Sequence, residues 1–339
     1  MKKFFIYFIL SLPVIGSFTS CDKKDENQTK LKIGMFVVGN GYNDSGYKQN
    51  CQNGLLMALK ENAFDTLFVS SLTHTQDEID YFPKNGCDAL FLAGSLASEE
   101  LLKTAASYPE TQFVMVDYDY DGTLPNVQSI TYNSDEAAFP LGYIAAYWAF
   151  HQDEVNPAIG IVGGMDIPAV ERFMVGYNQG ISYFNSQYSK HVTVMKTFLN
   201  SFDDSIKGYE VADSLIKKCS ADVILPVAGA ASNGSVYAAK NNGKWAIGTD
   251  ADQFYSMPDV ASIMLSSCMK RTDTTIYSVA TTFLSNPVIS HSTYTGTLKN
   301  EGVSLAPFHN FDSQIPDSIK TAIEIIKKGI IAGSIHTGF

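Results

Sequence analysis

The sequence predicts an α/β protein with two doubly wound parallel-sheet lobes. Three observations carry this prediction: strand-like runs alternate with helical patterns, the alternation restarts in the second half of the chain, and polar residues follow several of the strand-like runs. Regular alternation of this kind is typical of parallel sheets covered by crossover helices. With 339 residues, 45% of them hydrophobic, the chain is long enough for two such lobes.

The first twenty residues resemble a bacterial lipoprotein signal. Lys2 and Lys3 form a basic head, an apolar stretch follows, and small residues precede Cys21. The apolar run at positions 4–15 is too short for an ordinary membrane-spanning helix. Cleavage before Cys21 would make this cysteine the lipidated N-terminus, and residues 21–30 would form a polar tether. An ordinary cleaved signal peptide is the alternative.

The net charge and the distribution of apolar residues limit the kinds of partner that we expect. The formal net charge is −11, and removing Lys2 and Lys3 lowers it by two to −13. So acidic a chain, without a basic run, does not favour a nucleic-acid partner. No second apolar stretch is long enough to span a membrane, so the lipid anchor would be the sole membrane contact.

Four cysteines follow Cys21 in the chain. They stand at positions 51, 87, 219 and 268 and form no close CxxC pair, which argues against a metal site. We expect small buried residues at these positions, and a disulfide among them stays open.

The first half contains five strand-like runs. They are LKIGMFVV, DTLFVS, CDALFLAG, QFVMVD and VQSITYN. Helical patterns follow the first three, and the first helix is expected to end near Glu61. The second half repeats this order with AIGIVGG, VTVMKTF, ADVILPVAG and WAIGTDAD. Its predicted helices are 135–150, 168–185, 205–218 and 231–241.

Residues suited to ligand binding stand where the predicted strands end. They are Asn43 and Tyr47 after the first strand, Asp117 after FVMV, Gly229 after ILPVA and Asp250 after WAIGT. Doubly wound sheets bind ligands beyond the carboxyl ends of their strands, so these positions predict a shared cleft. In the loop after the first strand, Asp44 has two interpretations, as a ligand-facing group or as the cap of the following helix.

Enzyme signatures are missing from the sequence. It contains no HExxH, no GxSxG elbow, no GxGxxG dinucleotide spacing and no GxxxxGK[ST] loop. Asp117 and Asp250 could act as an acid and base pair, but two carboxylates in a cleft equally hold hydroxyls or ring nitrogens. We therefore expect a binding protein without catalytic activity, cofactor or metal.

Five segments, taken in order, resemble the basic membrane protein (BMP) family. They are GYNDSGYKQNCQNGL, VDYDYDGTLPNVQSITYNSDEAAFPLGYIAAYWA, AIGIVGGMDIPAVERFMVGYNQGI, DVILPVAGAASNGSVYAAKNNGKWAIGTDADQ and SSCMKRTDTTIYSVA. This family comprises substrate-binding lipoproteins of ABC transporters, and purine nucleoside receptors are its best understood branch. The resemblance runs from about Leu31 to the final IKKGIIAGSIHTGF. Each motif alone is weak, but five in the correct order are specific.

The resemblance implies a type I periplasmic-binding-protein fold, in which three crossovers join the two lobes. They are expected near Thr131 to Ser134, near Asp250 to Asp252, and after a helix ending near Leu284. The first lobe would then comprise residues 31–131 and 251–285, and the second lobe residues 132–250 and 286–339.

The resemblance also implies a nucleoside site. Tyr47 and Phe202 would stack on the two faces of the base, and Asp117 would accept a hydrogen bond from the base edge. Asp250 would hold the ribose hydroxyls, with Lys270 as the cation beside it. The remaining expected ligand-binding residues are Asn43, Asp44, Gly229 and Asn233.

Each of these residues has a structural alternative. Either aromatic ring could be a core residue, Asp117 a turn residue and Asp250 a helix cap. Lys270 could begin a solvated helix, and Asn233 could belong to an ordinary turn. The sequence also departs from the family pattern at two positions. Val38 replaces an expected Asp, and Tyr47 replaces the usual Phe and adds a hydroxyl that needs a partner.

The expected function is that of a monomeric solute-binding protein anchored by lipid at Cys21 in a bacterial cell envelope. It would capture a purine nucleoside or a similar nucleoside-like ligand and deliver it to an ABC permease. One alternative keeps the fold but binds another small polar solute, such as a sugar. The other is a ligand-sensing or adhesive surface lipoprotein without a permease.

Overall fold

The computed structural model describes residues 30–288 and 293–339. The expected signal segment, Cys21 and the tether up to residue 29 lie outside the described residues. Within these ranges the chain forms two six-stranded sheets covered by helices. The predicted α/β class with two parallel-sheet lobes is confirmed.

The first sheet has the strand order β11-β5-β4-β3-β1-β2, with every pair parallel. Its strands are β1 (Lys32–Val38), β2 (Asp65–Ser71), β3 (Ala89–Ala93), β4 (Gln112–Val116), β5 (Val127–Tyr132) and β11 (Tyr294–Gly296). The helices of this lobe are α1 (Tyr47–Glu61), α2 (Gln76–Lys84), α3 (Ser98–Ser107) and α9 (Thr272–Ser285). We call this sheet with its helices the first lobe.

The second sheet has the order β12-β10-β9-β8-β6-β7, in which the edge strand β12 is antiparallel to β10. Its strands are β6 (Ala158–Gly163), β7 (Thr193–Phe198), β8 (Val223–Val227), β9 (Trp245–Asp250), β10 (Met264–Lys270) and β12 (Val303–Leu305). The helices are α4 (Ser134–Gln152), α5 (Pro168–Tyr188), α6 (Ser205–Cys219), α7 (Ala231–Asn241), α8 (Gln253–Ser256) and α10 (Asp317–Ile331). Short 3-10 turns span Pro258–Ile263 and His309–Gln314. This sheet with its helices is the second lobe.

Both faces of the first sheet are buried at its central strands, as a doubly wound sheet requires. Met35 and Val37 of β1 pack on the side of α1 and α9, whereas Phe36 packs with Ile79 and Phe82 of α2 on the other side. Successive strand residues point to opposite faces, so each strand needs apolar residues at nearly every position. This requirement explains the continuous apolar runs in the sequence.

The chain passes three times between the lobes, as predicted. It crosses at Asn133 between β5 and α4, at Arg271 between β10 and α9, and at residues 297–302 between β11 and β12. All three crossings lie on the side of the molecule where β5, β11, β10 and β12 are found. The opposite side, at β1, β2 and β7, carries no crossing within the described residues.

Two of the expected lobe boundaries are wrong. A return to the first lobe near Asp250 to Asp252 was expected, but β10 pairs with β9 in the second sheet, so the chain returns only after Lys270. Likewise, residues 286–339 do not all belong to the second lobe, because β11 pairs with β5 in the first sheet. Because β10 belongs to the second sheet, the second crossing lies about twenty residues further toward the C-terminus than expected. Because β11 belongs to the first sheet, the third crossing lies about ten residues further toward the C-terminus than expected.

The four cysteines in the described residues are free thiols. Cys51, Cys87 and Cys268 are buried, as expected. Cys219 is exposed, which corrects the expectation for this position: it is the last residue of α6, beyond the apolar face of the helix.

Candidate ligand-binding site

The carboxyl ends of both sheets face each other across a cleft. The cleft contains about 710 Å³ of atom-free space, counting its open mouth. Seven of the nine residues expected at a ligand site line it: Asp44, Tyr47, Asp117, Phe202, Gly229, Asp250 and Lys270. Val38, the departure from the family pattern, lines it as well. The structure therefore gathers residues from six different strand ends and loops around one cavity.

Two carboxylates project into the cleft from strand ends in opposite lobes. Asp117 directly follows β4, and Asp250 is the last residue of β9. Both residues have a left-handed backbone, with φ of +67° and +66°. Residues other than glycine adopt this conformation at an energetic cost, and such residues concentrate at functional sites. The backbone turn aims both carboxylates at the same space.

Lys270 lies between these carboxylates at the end of β10. Its ammonium is 2.6 Å from Asp117 Oδ2 and 3.9 Å from Asp250 Oδ1. The residue is only 2% exposed, so it is not the solvated helix start that the sequence alone allowed. The ring of Phe173 lies 4.8 Å from the ammonium and that of Tyr47 lies 5.5 Å away. The buried Lys270 ammonium thus pairs with two carboxylates and has aromatic rings close to it.

Burial and neighbouring charges shift the pKa values of Asp250 and Lys270. Burial raises the pKa of Asp250 to about 7; Lys270 opposes this rise, whereas the negative charges of Asp117 and Asp44 add to it. Burial by itself would lower the pKa of Lys270, but Asp117 and Asp250 outweigh burial and raise it. Lys270 therefore stays charged, and Asp250 changes protonation near neutral pH.

Two aromatic rings line the cleft from opposite lobes. Tyr47, the first residue of α1, donates its hydroxyl to the carbonyl of Val116 at 3.2 Å, which supplies the partner that this hydroxyl needs. Phe202 lies in the loop between β7 and α6, beside Gly229. Gly229 has φ of +54°, so its backbone turn favours glycine, and a Cβ there would press on Phe202. Both rings are thus held by their own lobe.

Asp44 lies two residues before Gly46, the N-cap residue of α1, and its side chain caps the start of the helix. Its carboxylate accepts hydrogen bonds from the backbone N–H groups of Gly46, Lys48 and Gln49 at 2.9–3.1 Å. The capping interpretation therefore holds, although the side chain also borders the cavity. Asn43 is exposed and Asn233 lies within α7, and neither lines the cavity.

Sequence reasoning missed several lining residues. Lys48 follows Tyr47 in the chain but gave no motif of its own, and its partner Asp203 is 155 residues away. The first two turns of α5 contribute Val170 and Phe173, whose spacing of three places them on one face of the helix. That spacing is the signal that could have identified them.

None of the helices in the described residues combines the length and apolar character that a membrane span needs. Among solved structures, one of ABC transporter system solute-binding proteins from Aeropyrum pernix K1 is similar in fold. It has a TM-score of 0.83 and 23% identity, covering 90% of this chain and 92% of that chain.

Two curated relatives are similar in sequence. "Basic membrane protein B" of Borreliella burgdorferi is 28% identical over 282 residues, which is 79% of each chain. "Uncharacterized lipoprotein PH1714" of Pyrococcus horikoshii is 33% identical over 196 residues, covering 56% of this chain and 47% of that protein.

The profile of the Bmp family, described as "ABC transporter substrate-binding protein PnrA-like", matches residues 30–336. This family and the type I periplasmic-binding fold are those of solute-binding proteins. Since the match spans nearly every described residue, the chain belongs to the Bmp family of ABC-transporter substrate-binding proteins, as the order of its sequence motifs predicted.

Proposed function

We propose that this protein captures a purine nucleoside, or a similar ribosylated heterocycle, between its lobes and delivers it to an ABC permease. The observation that carries the proposal is the composition of the cleft. A charged trio, Asp117, Lys270 and Asp250, stands at one end, and the aromatic side chains of Tyr47 and Phe202 approach from opposite lobes. A nucleoside combines a flat aromatic base with a hydroxyl-rich sugar, and therefore fits both parts.

The base would lie against the aromatic residues. Stacking suits a planar heterocycle because ring faces attract at offset geometry while apolar area is buried. The neighbouring wall is apolar at Val38 and Val170. Asp117 would accept from the base edge through Oδ1, because its Oδ2 is bound to Lys270.

The ribose would lie beside Asp250. This carboxylate is 3.9 Å from the Lys270 ammonium, beyond a direct hydrogen bond, so its oxygens can accept from sugar hydroxyls. Hydrogen bonds to an ionised carboxylate are about twice as strong as neutral ones. The proposed role of Asp250 is therefore to distinguish a ribonucleoside from a free base.

Isothermal titration with adenosine, inosine, guanosine, adenine and ribose tests this function. We expect the three nucleosides to bind more tightly than adenine, and ribose alone to bind weakly. Tight binding of ribose or another sugar without nucleoside binding would favour the receptor for a small polar solute instead. Recovery of free base after incubation with nucleoside would contradict a purely binding role.

Replacing Phe202 or Tyr47 by alanine should weaken all three nucleosides by roughly one to two orders of magnitude. Each loses base stacking worth about 1–3 kcal/mol, and any base stacks, so the ranking among nucleosides should change little. Titration calorimetry measures the loss. Phe150→Ala, which removes a half-buried phenylalanine at the end of α4, is the matched control and should bind as the wild type does.

The lipid anchor belongs to the same proposal. Its support is the signal-like segment before Cys21 and the lipoprotein name of the Pyrococcus horikoshii relative. We expect Cys21→Ala to leave a folded protein that no longer partitions into the detergent phase, because acyl chains hold it at the membrane. Partitioning of both forms in detergent decides this, and a mutant that stays in the detergent phase would overturn the anchor assignment.

A further inference from the structure

A second ion pair joins the lobes at the other end of the cleft. Lys48 of α1, in the first lobe, places its Nζ 2.7 Å from Oδ1 of Asp203, in the second-lobe loop between β7 and α6. The backbone N–H of Asn40 donates to the same carboxylate oxygen at 3.2 Å. The side chains of Lys48 and Asp203 are 8% and 19% exposed, so the pair is largely withdrawn from water.

The strand order places this pair at the open side of the cleft. Asp203 follows β7, the edge strand furthest from the crossings, and Lys48 follows β1, which lies toward the corresponding edge of the first sheet. The Lys270–Asp117 pair lies near the crossings instead. A contact far from the crossings is separated by a small opening of the lobes, whereas a contact near them is not.

The ion pair also holds the loop that contains Phe202, a residue of the proposed base site. Asp203 directly follows Phe202, and their loop is attached to the second lobe through the Phe202 carbonyl, which accepts from the N–H of Ala231 at 3.0 Å. The carboxylate of Asp203 attaches the same loop to the first lobe. Phe202 is therefore held between two anchor points when the ion pair is formed.

We propose that Lys48 and Asp203 are positioning residues that close the mouth of the cleft and hold Phe202 over the bound ligand. The pair forms only when the lobes approach, so it favours the closed arrangement over the open one. Because it lies across the exit, breaking it should speed release of ligand more than it slows entry. The ligand part of this inference rests on the proposed function, whereas the closure part does not.

The proposal that the ion pair closes the lobes is tested by the distance between spin labels on the two lobes of the ligand-free protein. One label attaches to the exposed native Cys219 of α6, and the other to Glu99→Cys on α3, whose side chain is 84% exposed. Cys21→Ser removes the other site outside the core. We expect Lys48→Met and Asp203→Asn each to broaden the distance distribution and shift it to longer values.

Lys244→Met is the matched control, because it breaks a lysine–carboxylate pair of the same 2.7 Å length wholly within the second lobe. Its distance distribution should equal that of the labelled protein with both ion pairs intact. Lys48→Arg, which keeps the charge, should restore most of the short distances. If Lys48→Met and Asp203→Asn both give the same distribution as Lys244→Met, the proposed closing role is wrong.

Stopped-flow measurement with adenosine tests the ligand part. We expect dissociation to become about tenfold faster in both variants, with association changed by less than about twofold. If dissociation becomes faster in Lys48→Met but not in Asp203→Asn, Lys48 contacts the ligand itself, and the positioning role is overturned. If the wild type does not bind adenosine, the proposed function fails, and the label distances still decide whether the pair closes the lobes.

Discussion

Replacing Lys270 by methionine should lower the free energy of unfolding by about 3–5 kcal/mol at pH 7.5, the cost of removing one partner from a buried ion pair. Methionine keeps an unbranched side chain at this position but removes the charge that lies near the rings of Phe173 and Tyr47. The carboxylates of Asp117 and Asp250, which lie 2.6 Å and 3.9 Å from the ammonium, would then face each other without a cation. Urea denaturation measures the loss, and no ligand is needed for the test.

The same substitution should make stability depend on pH in a defined direction. Burial already raises the pKa of Asp250 above its unfolded value, and removing the opposing Lys270 ammonium raises it further, so the folded state binds more protons as the pH falls. The loss should therefore shrink between pH 7.5 and pH 5.

Lys244→Met is the control for this prediction, because its partner Asp222 is more deeply buried than Asp117 and Asp250 but also accepts from the N–H of Ala158. The Lys244 side chain is 29% exposed, so water can take the place of its ammonium. The free energy of unfolding should therefore fall less in Lys244→Met than in Lys270→Met. A Lys270→Met loss below about 1 kcal/mol, or one that is the same at both pH values, would show that the trio is solvated.

Strand ends were the part of the site that sequence could predict. Parallel strands in a doubly wound sheet bring their carboxyl ends to one edge, so Asp117, Gly229 and Asp250 could be grouped from the sequence alone. The rule works because it depends on local patterns: a buried apolar run, followed by a polar residue or glycine. The same rule predicted a cleft shared by two lobes, and the family resemblance added the three crossovers that join them.

One of the two wrong boundaries arose because β10 contains buried polar residues and was not predicted as a strand. In β10, Ser266 and Ser267 are buried, and they are satisfied by partners far along the chain: Ser266 donates to the carbonyl of Ala306, and Ser267 accepts from the N–H of Gln253. In the sequence these serines look like loop residues. A hydrogen bond to a distant backbone group leaves no local pattern, so this strand was not predicted and the crossing after it was placed too early.

Paired charges were difficult to predict for the same reason. Lys48 and Asp203 are 155 residues apart, and Lys270 and Asp117 are 153 apart. Nothing in the spacing of either pair indicates contact. The family resemblance placed Lys270 beside Asp250, whereas the shorter contact in the structure is with Asp117. The cation therefore couples the two proposed halves of the site.

Nucleoside affinity should fall as the pH drops below about 7. Burial raises the pKa of Asp250 to about 7, with Asp117 and Asp44 adding to the rise and Lys270 opposing it. If the ionised carboxylate accepts from ribose hydroxyls, protonation removes an acceptor, and a nucleoside must displace that proton to bind. The ligand-free protein responds in the opposite direction: the folded pKa exceeds the unfolded one, so this group contributes more stability at pH 5 than at pH 8.

For a single group with this pKa, the dissociation constant should rise about tenfold per pH unit below 7, or roughly 100-fold at pH 5, and should level off above pH 8. Titration calorimetry at pH 5, 6, 7 and 8, in buffers of different ionisation enthalpy, measures both the affinity and the proton released on binding. Release should approach one proton per nucleoside at pH 5 and vanish at pH 8. Asp250→Asn should bind more weakly than the wild type at pH 8 and show little pH dependence, because the amide does not titrate. An affinity that instead increases toward pH 5 would mean that the protonated carboxyl donates to the ligand, and the proposed sugar contact at Asp250 would have to be reversed.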